Sequence, residues 1–373
     1  MRILVDYRPA LRQRSGVGEY IHQLIRAYAH AYPGEMTIFT SSWKDRPSLQ
    51  VSSELGVPII DCRVPVRVLN LLWHRAEWPT IEAVAGPADV AHSAHPLLMP
   101  ARRAAQVVTI HDLFFLTDGA RNGAEIRRDY PVLAGSHARR AHAVITSTDY
   151  GKRLVRDRLG VSEGRIYVCR PGAPSWQSIG QAPNVPRDGY LLFVGTLEPR
   201  KNIGKLLDAY EVLLSRRPSS PTLLIAGRAT VEAREWISRI EAPPLAGRVQ
   251  YAGYVPDEQR ERLYSGARLL VLPSLDEGFG LPVLEAMSAG VPVVASNRGS
   301  LPEVVGSAGV LVNPDDVAAL STALERFAFD DEAAAEAGAA GLARARTFTW
   351  GAAAATLHRA YADAIERRRE KPV

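Results

Sequence analysis

Apolar and polar positions form blocks along the chain that predict strands and helices in alternation. Helical spacing of apolar residues is clearest at Glu19–Tyr32, 203–214 and Leu281–Ala289. Strands that alternate with helices predict an α/β fold built on parallel sheets. Such sheets bind ligands beyond the carboxyl ends of their strands. The short apolar runs that predict buried strands are Arg2–Asp6, Thr37–Thr40, Val107–Asp112, Ala143–Ser147, Tyr190–Leu197, Thr222–Ala226, Val249–Gly253, Leu269–Pro273 and Val291–Ala295.

The stretch Leu269–Pro302 concentrates the chemistry of the chain. A predicted loop, Ser274–Gly280, carries Glu277, and the helix that follows carries Glu285. A helix N-terminus offers free backbone N–H groups and a partial positive charge, which suits a phosphate. A carboxylate on each side of an anion seat suits a ligand with phosphates in the middle and hydroxyls at both ends, as in a nucleotide sugar.

The sequence EGFGLPVLE at 277–285 resembles the Glu-x7-Glu signature of retaining glycosyltransferases with the GT-B fold. This is glycosyltransferase family 4, the glycosyl transferases group 1, and the resemblance is to its bacterial mannosyltransferases. It implies two Rossmann-like, doubly wound α/β domains that face each other across a cleft. It also implies that Glu285 binds the ribose, that Glu277 faces the donor sugar and that the helix start holds the distal phosphate. The donor-binding residues predicted here are Glu277, Gly278, Phe279, Gly280, Leu281, Val283 and Glu285.

Two cations follow the predicted strand Tyr190–Leu197. Arg200 and Lys201 stand in the sequence GTLEPRKN, at the mouth of the predicted sheet. Such cations neutralise a diphosphate, arginine with a bidentate fork and lysine as a point charge. The same arrangement occurs in the family, which implies that both bind the donor and act in catalysis with Glu277. The resemblance further places Val255 near the nucleotide base.

The N-terminal half contributes a glycine pair and a histidine. Gly16, Val17 and Gly18 lie between a predicted strand and helix, where glycine permits close approach to a phosphate. A plain turn is the other interpretation. Dinucleotide binding is disfavoured, because the third glycine of Gly-x-Gly-x-x-Gly is missing and the motif begins well past the strand. His111 ends the strand Val107–Asp112, and the resemblance implies that it contacts the donor sugar as a catalytic residue.

Two domains are expected from a length of 373 residues. The segment 170–188 has the proline- and glycine-rich composition of a linker. We therefore predict a domain boundary near residue 180. The resemblance implies an acceptor-binding domain at 1–180, joined by a C-terminal helix at about 350–373, and a donor-binding domain at 181–349. The run Arg367–Arg369 is expected to be a solvated helix end.

Composition narrows the partners. The net charge is +5 and the pI about 9.2, but we find no nucleic-acid motif and expect no nucleic-acid partner. Two isolated cysteines and the absence of a secretory pattern favour the cytoplasm. The segment 63–78 carries an apolar, aromatic helical stripe with basic flanks. The stripe favours a core-facing helix, while the resemblance supports peripheral contact with the inner face of the cytoplasmic membrane.

The resemblance implies a retaining hexosyltransferase. The expected donor is GDP-mannose, and the expected acceptor is a saccharide or a polyprenyl-linked saccharide in polysaccharide or lipopolysaccharide synthesis. UDP-glucose is the alternative donor. A non-catalytic protein that binds nucleotide sugars is the alternative of another class. We expect no cofactor and no metal, because two cations are available and no Asp-x-Asp pair is present.

Overall fold

A computed structural model describes residues 1–11, 16–116, 124–176 and 185–370. The chain divides into two compact units, one made of Met1–Gly172 with Thr349–Val373 and one made of Ala173–Phe348. The predicted domain boundary at residues 180–181 and Ser15, beside the glycine pair, lie outside the described residues. Each unit is an α/β structure.

The first unit is built on a parallel, seven-stranded sheet. Its strands are β1 (Ile3–Asp6), β2 (Met36–Thr40), β3 (Ile59–Asp61), β4 (Val90–Ser93), β5 (Ala105–Thr109), β6 (Ala143–Thr146) and β7 (Ile166–Val168). They lie in the order β3-β2-β1-β4-β5-β6-β7. The strand order therefore switches direction between β1 and β4, where a doubly wound sheet opens a crevice.

Helices connect these strands. They are α1 (Val17–Ala31), α2 (Leu49–Leu55), α3 (Val66–Ala76), α4 (Ile81–Ala85), α5 (Ala124–Arg140) and α6 (Asp149–Leu159). The predicted helix at 19–32 begins two residues earlier, so that Gly18 lies in the first turn of α1 and Gly16 is its N-cap. The glycine pair therefore starts the helix rather than forming a separate loop.

The second unit repeats the architecture with six parallel strands. They are β8 (Tyr190–Val194), β9 (Leu223–Ala226), β10 (Val249–Gly253), β11 (Ala267–Leu272), β12 (Val293–Ser296) and β13 (Val310–Val312). Their order is β10-β9-β8-β11-β12-β13, with the switch between β8 and β11. The two Rossmann-like sheets confirm the predicted fold class.

The helices of the second unit cover both faces of its sheet. They are α7 (Ile203–Arg216), α8 (Arg234–Ile240), α9 (Asp257–Ser265), α10 (Leu281–Ser288), α11 (Leu301–Val305), α12 (Val317–Phe329) and α13 (Asp331–Ala345). All six residues of β11 are buried. Five of them are apolar, as expected of a parallel strand that is covered on both sides, and the sixth, Arg268, pairs with Asp331 over 2.8 Å.

The last helix, α14 (Trp350–Glu370), packs into the first unit. Tyr361 is fully buried, and its hydroxyl lies 2.7 Å from Nδ1 of His92 in β4. Arg367 is not the solvated end that the sequence predicted. Its guanidinium donates to the carbonyl of Gly164 over 2.9 Å and to that of His142 over 3.2 Å, which fixes the end of the helix.

The segment predicted at 63–78 forms α3, which uses one face for the core. Leu69 and Trp73, four residues apart, are 2% and 1% exposed. Val68 and Leu71 on the same helix, and Trp78 just beyond it, are 47%, 62% and 63% exposed. The core-facing interpretation is therefore right for one face and leaves an apolar outer face. No helix among the described residues is both long enough and apolar enough to cross a membrane.

Candidate active site

The candidate site lies where the order of strands switches in the second unit. Arg200 and Lys201 follow β8, and Glu277 follows β11, and these two strands are neighbours in the sheet. A short 3-10 helix, Pro199–Lys201, turns the chain immediately after Glu198. The pairing of β8 with β11 thus brings together residues that are far apart in sequence.

Asn202 ties this turn to the neighbouring loops. Its backbone is left-handed, with φ of 60°, which asparagine tolerates better than most residues. Its side-chain amide donates to the carbonyl of Pro273 over 3.2 Å and to that of Pro314 over 2.8 Å. Because Pro273 immediately precedes the loop with Glu277, Asn202 sets the position of the two cations relative to that loop.

Ser300 and Gly299 contact the backbone of the loop after β11. The Ser300 hydroxyl donates to the backbone carbonyl of Glu277 over 2.8 Å. Gly299 has φ of +65°, and a Cβ there would lie 2.8 Å from the backbone nitrogen of Glu277. Only glycine fits without moving the loop.

The carboxylate of Glu277 binds both cationic side chains, Arg200 and Lys201. One oxygen accepts from the Lys201 ammonium and, over 2.7 Å, from the Ser274 hydroxyl. The other accepts from Nη1 of Arg200 over 3.0 Å. Arg200 also pairs with Glu198, over 2.7 Å. Lys201 and Glu277 are both 6% exposed, so their ion pair is shielded from solvent.

Glu277 remains ionised in this setting. Burial alone would raise the pKa of its carboxyl group. The charges of Lys201 and Arg200, with the hydrogen bonds from Lys201 and Ser274, outweigh burial and lower the pKa below its usual value. The site therefore holds a buried carboxylate between two cations at neutral pH.

The helix after this loop begins at a glycine with a positive φ, a backbone conformation that glycine adopts readily. Gly280 has φ of +94° and precedes α10, whose second residue is Pro282. The Val283 N–H donates to the Gly280 carbonyl over 2.9 Å, inside the first turn. Among the described residues, the N–H groups of Gly280 and Leu281 have no hydrogen-bond partner. At the helix start predicted to bind an anion, these two N–H groups are therefore open to a ligand, whereas the N–H of Val283 is used within the first turn and its side chain is fully buried.

Glu285 lies further along α10 and is 8% exposed. Nη1 of Arg260 donates to one oxygen over 2.9 Å, and the hydroxyl of Tyr264 donates to the other over 2.6 Å. Both donors belong to α9, so Glu285 is fixed in orientation by a neighbouring helix. Glu285 is therefore a buried, oriented carboxylate and not a solvated surface acid.

The remaining predicted residues of this unit lie around the same edge of the sheet. Phe279 is 7% exposed, and its ring meets that of Phe348 edge to face, which makes it part of the core. Gly278 belongs to the loop between β11 and α10. Val255 is partly exposed between β10 and α9. Beside it, the Arg228 guanidinium lies over the ring of Tyr254, 5.1 Å from its centre.

The predicted residues of the first unit lie at the carboxyl end of its own sheet. Gly16 is exposed, with φ of +52°, and Val17 is 39% exposed. His111 follows β5, and Nε2 lies 3.1 Å from the carbonyl of Ala94. Since a carbonyl only accepts, Nε2 carries the proton and Nδ1 is the acceptor nitrogen. Burial lowers the pKa of His111, which keeps the ring neutral at pH 7.

The sequence analysis missed a charged cluster at the switch point of the first unit. Asp6, the last residue of β1, is fully buried and accepts from Nε of Arg8 over 2.8 Å and from Nε2 of His95 over 3.0 Å. Nη1 of Arg8 also donates to Oδ1 of Asn70 in α3 over 3.0 Å, and the Arg8 guanidinium lies over the ring of Trp73, 4.8 Å from its centre. The available signal was Asp-Tyr-Arg directly after the first strand.

Metal binding has no support from side-chain clusters in the described ranges. No group of three or more histidine, cysteine, aspartate or glutamate residues there is placed to hold a metal ion. Cys62 and Cys169 are free thiols.

The two units match two family models. Residues 15–172 match a glycosyl transferase 4-like domain, and residues 176–344 match the glycosyl transferases group 1. The chain is 37% identical over 269 residues to O-antigen chain mannosyltransferase B of Escherichia coli, which covers 68% of each protein. It is 33% identical over 229 residues to the serotype-specific mannosyltransferase WbdA of Escherichia coli, covering 61% of this chain and 28% of that protein.

Solved structures share the fold across the whole chain. Sucrose-phosphate synthase from Thermosynechococcus elongatus aligns with a TM-score of 0.75 at 21% identity, over 97% of this chain and 98% of that one. Anabaena HepE, solved in complex with UDP-glucose, aligns with a TM-score of 0.72 at 18% identity, over 98% and 100%. Together with the coverage and identity of the mannosyltransferase B match, these findings establish that the chain belongs to the glycosyl transferases group 1 and is a glycosyltransferase with the GT-B fold.

Proposed function

We propose that this enzyme transfers mannose from GDP-mannose, with retention of configuration, to a saccharide or lipid-linked saccharide during synthesis of a surface polysaccharide or lipopolysaccharide. The observation that carries the proposal is the triad of Arg200, Lys201 and Glu277 at the switch point of the second unit. The choice of mannose and of polysaccharide is supported by the relatives named O-antigen chain mannosyltransferase and serotype-specific mannosyltransferase.

In this proposal the two cations bind the diphosphate of the donor. Negative charge develops on that group as the sugar leaves, and preorganised donors stabilise it. The side chain of Arg200 is 19% exposed and ends in a guanidinium, whereas that of Lys201 is only 7% exposed and delivers a point charge. The N–H groups of Gly280 and Leu281 extend the same seat. The chain thereby supplies positive charge for the leaving group from its own side chains and backbone.

The carboxylates orient the two ends of the donor. Glu285, held by Arg260 and Tyr264, accepts hydrogen bonds from the ribose hydroxyls. Glu277 accepts from hydroxyls of the sugar while its own charge remains balanced by Lys201. Val255 lies beside the base. Because both carboxylates are held rigidly before donor binds, little ordering cost is left for the binding step.

The first unit contributes His111 and the start of α1. Neutral His111 offers Nδ1 as an acceptor for a sugar hydroxyl, since Nε2 is committed to the Ala94 carbonyl. Gly16 and Val17 offer exposed backbone for the diphosphate, and Gly18, which is buried in the first turn of α1, lets the helix start pack closely behind them. This unit also reads the acceptor in our proposal. The outer face of α3, with Val68, Leu71 and the nearby Trp78 exposed between basic residues, is proposed to rest on the membrane that holds a lipid-linked acceptor.

Two other functions make different predictions. UDP-glucose as donor is favoured by the structural likeness to HepE, which was solved with UDP and glucose. A nucleotide-sugar sensor without turnover would need the same pocket. Intact Arg200, Lys201, Glu277, Glu285 and His111 argue against that sensor, because binding without chemistry does not require the full set.

A thermal-shift panel with GDP, UDP, ADP and their sugars tests the donor. Selective stabilisation by GDP and GDP-mannose supports the proposal, whereas a response to UDP and UDP-glucose replaces the donor. Hydrolysis or transfer of radiolabelled mannose separates an enzyme from a sensor. Nuclear magnetic resonance of the product anomeric carbon then decides retention or inversion.

A further inference from the structure

A basic pocket occupies the amino-terminal edge of the first unit's sheet, opposite the strand ends that carry His111 and the start of α1. It has a volume of about 660 Å³, within the range of ordinary small-molecule sites. Arg2 directly precedes β1, Asp89 directly precedes β4, and Arg102–Arg103 lie just before β5. The end of α14 closes the pocket with Arg368 and Arg369.

Both carboxylates of this pocket are already committed. Glu82 accepts from the backbone N–H of Arg102 over 3.0 Å, of Arg103 over 2.8 Å and of Ala104 over 3.0 Å. Asp89 pairs with Arg2, through its backbone N–H over 2.8 Å and its guanidinium over 3.2 Å. Both acids keep their negative charge in these contacts, so the five arginines and two carboxylates of the lining leave a net charge of +3 on its side chains.

Four guanidinium groups are left over. Within the described ranges Arg102, Arg103, Arg368 and Arg369 form no ion pair, and Arg368 donates instead to the backbone carbonyl of Arg102. This bond draws the end of α14 against the segment before β5, so that like charges converge on one cavity. Burial lowers the pKa of the nearby His142, and the charge of Arg368 lowers it further, as expected in a positive field.

We infer that this pocket binds a phosphate-bearing anion at a second site, separate from the donor seat of the other unit. Four arginines with no carboxylate partner match the several oxygens of a phosphate or diphosphate, which arginine recognises through paired N–H groups. Ile365, Ala83, Pro87 and Ala88 line the same cavity and accept an apolar portion of the ligand. The phosphate belongs either to a soluble metabolite or to a lipid headgroup.

The test compares two double variants that remove equal charge. Arg102→Gln/Arg103→Gln removes two pocket guanidiniums but keeps the backbone N–H groups that hold Glu82, so the fold of the edge is preserved. Arg153→Gln/Arg158→Gln changes two exposed arginines on α6 of the same unit and is the control. Each protein is titrated calorimetrically with sodium pyrophosphate at low ionic strength and sedimented with phosphatidylglycerol or phosphatidylcholine vesicles. Lys201→Ala protein is titrated alongside, since it alters only the proposed donor seat.

A loss of about tenfold or more in pyrophosphate affinity in the pocket variant, with wild-type affinity for this site in the control variant and in Lys201→Ala, supports a site for a soluble phosphate. Loss of sedimentation with phosphatidylglycerol alone, in a protein that does not bind pyrophosphate, supports the lipid source. The inference is overturned if the pocket variant matches wild type in both assays, or if the control variant loses as much. Failure of the donor proposal would show instead in the nucleotide panel.

Discussion

Nη1 of Arg200 lies 3.0 Å from Oε2 of Glu277, although 77 residues separate them in the chain. The contact exists because β8 and β11 are neighbours at the point where the strand order switches. Glu277 is buried and also holds Lys201, so the charges of this site are arranged by the fold before any donor enters.

Replacement of Lys201 with alanine should slow sugar transfer by about two orders of magnitude, as for other preorganised charge stabilisers. Lys201 is 6% exposed, so a cation from solvent has little access to the position of its ammonium group. Initial rates at saturating donor measure the effect. The control is Lys205→Ala, which removes a lysine of α7 whose side chain is 45% exposed, and it should keep the wild-type rate. A normal rate in Lys201→Ala would remove this residue from the chemistry.

Glu285→Gln should weaken donor binding about tenfold, which is the effect of losing one hydrogen bond to a charged group. The amide keeps the shape of the side chain and one acceptor, so the melting temperature should change little. Calorimetric titration with the nucleotide measures the affinity. The control is Glu258→Gln, at an exposed position of α9, and it should leave the affinity for the nucleotide unchanged. A collapse of the melting temperature in Glu285→Gln would make this residue structural.

Gly299→Ala should displace the loop that carries Glu277. A Cβ there would meet the backbone nitrogen of Glu277 at 2.8 Å and Oδ1 of Asp276 at 2.9 Å. Gly247→Ala isolates the backbone cost, because Gly247 also has a positive φ, +75°, but no atom within 4 Å. Both variants should lose about 1 kcal/mol of stability, and Gly299→Ala more. Only Gly299→Ala should lower donor affinity. Equal behaviour of the two in binding would show that the loop tolerates the shift.

The stability of the first unit should fall as the pH drops below 6.5. Burial lowers the pKa of His92 from 6.5 to about 3, so the folded state keeps the ring neutral while the unfolded chain takes up a proton. His92 thus stabilises the fold fully above pH 6.5 and loses about 1.4 kcal/mol per pH unit below it, down to about pH 3. Denaturant unfolding between pH 7.5 and 5 measures the slope.

Two variants assign that slope. His92→Gln should reduce the slope by about 1.4 kcal/mol per pH unit and leave the part that comes from other buried histidines with a lowered pKa, such as His111. His30→Gln, at an exposed position, should leave the slope unchanged. An unchanged slope in His92→Gln would place the protons on other groups.

The sequence pattern was enough to predict β11, α10 and β12, because both strands are short, mostly apolar runs and the helix between them is bounded by Pro282 and Gly290. It also predicted that Arg200, Lys201 and Glu277 follow strands. It could not predict that they touch one another, since the order of strands within a sheet is not written in local pattern. The roles assigned to these residues stay predictions that the variants above test.

The charged cluster of the first unit shows the same limit. Asp6 ends β1 and His95 lies two residues after β4, which is only four residues long and contains a histidine and a serine, so its pattern is weak. Gly18 misled in another way. Glycine is a poor helix former, yet here it lies in the first turn of α1, close to the carbonyl of Pro9.

The membership of α14 in the first unit has a consequence for biosynthesis. A ribosome finishes Ala173–Phe348, a continuous stretch, before it makes the helix whose Tyr361 bonds to His92. The second unit can therefore complete its fold during translation, as domains commonly do. The first unit, although its sheet is synthesised first, must wait with an uncovered apolar face until the final helix emerges. Nascent chains stalled before residue 349 should therefore engage chaperones through the earlier-made half.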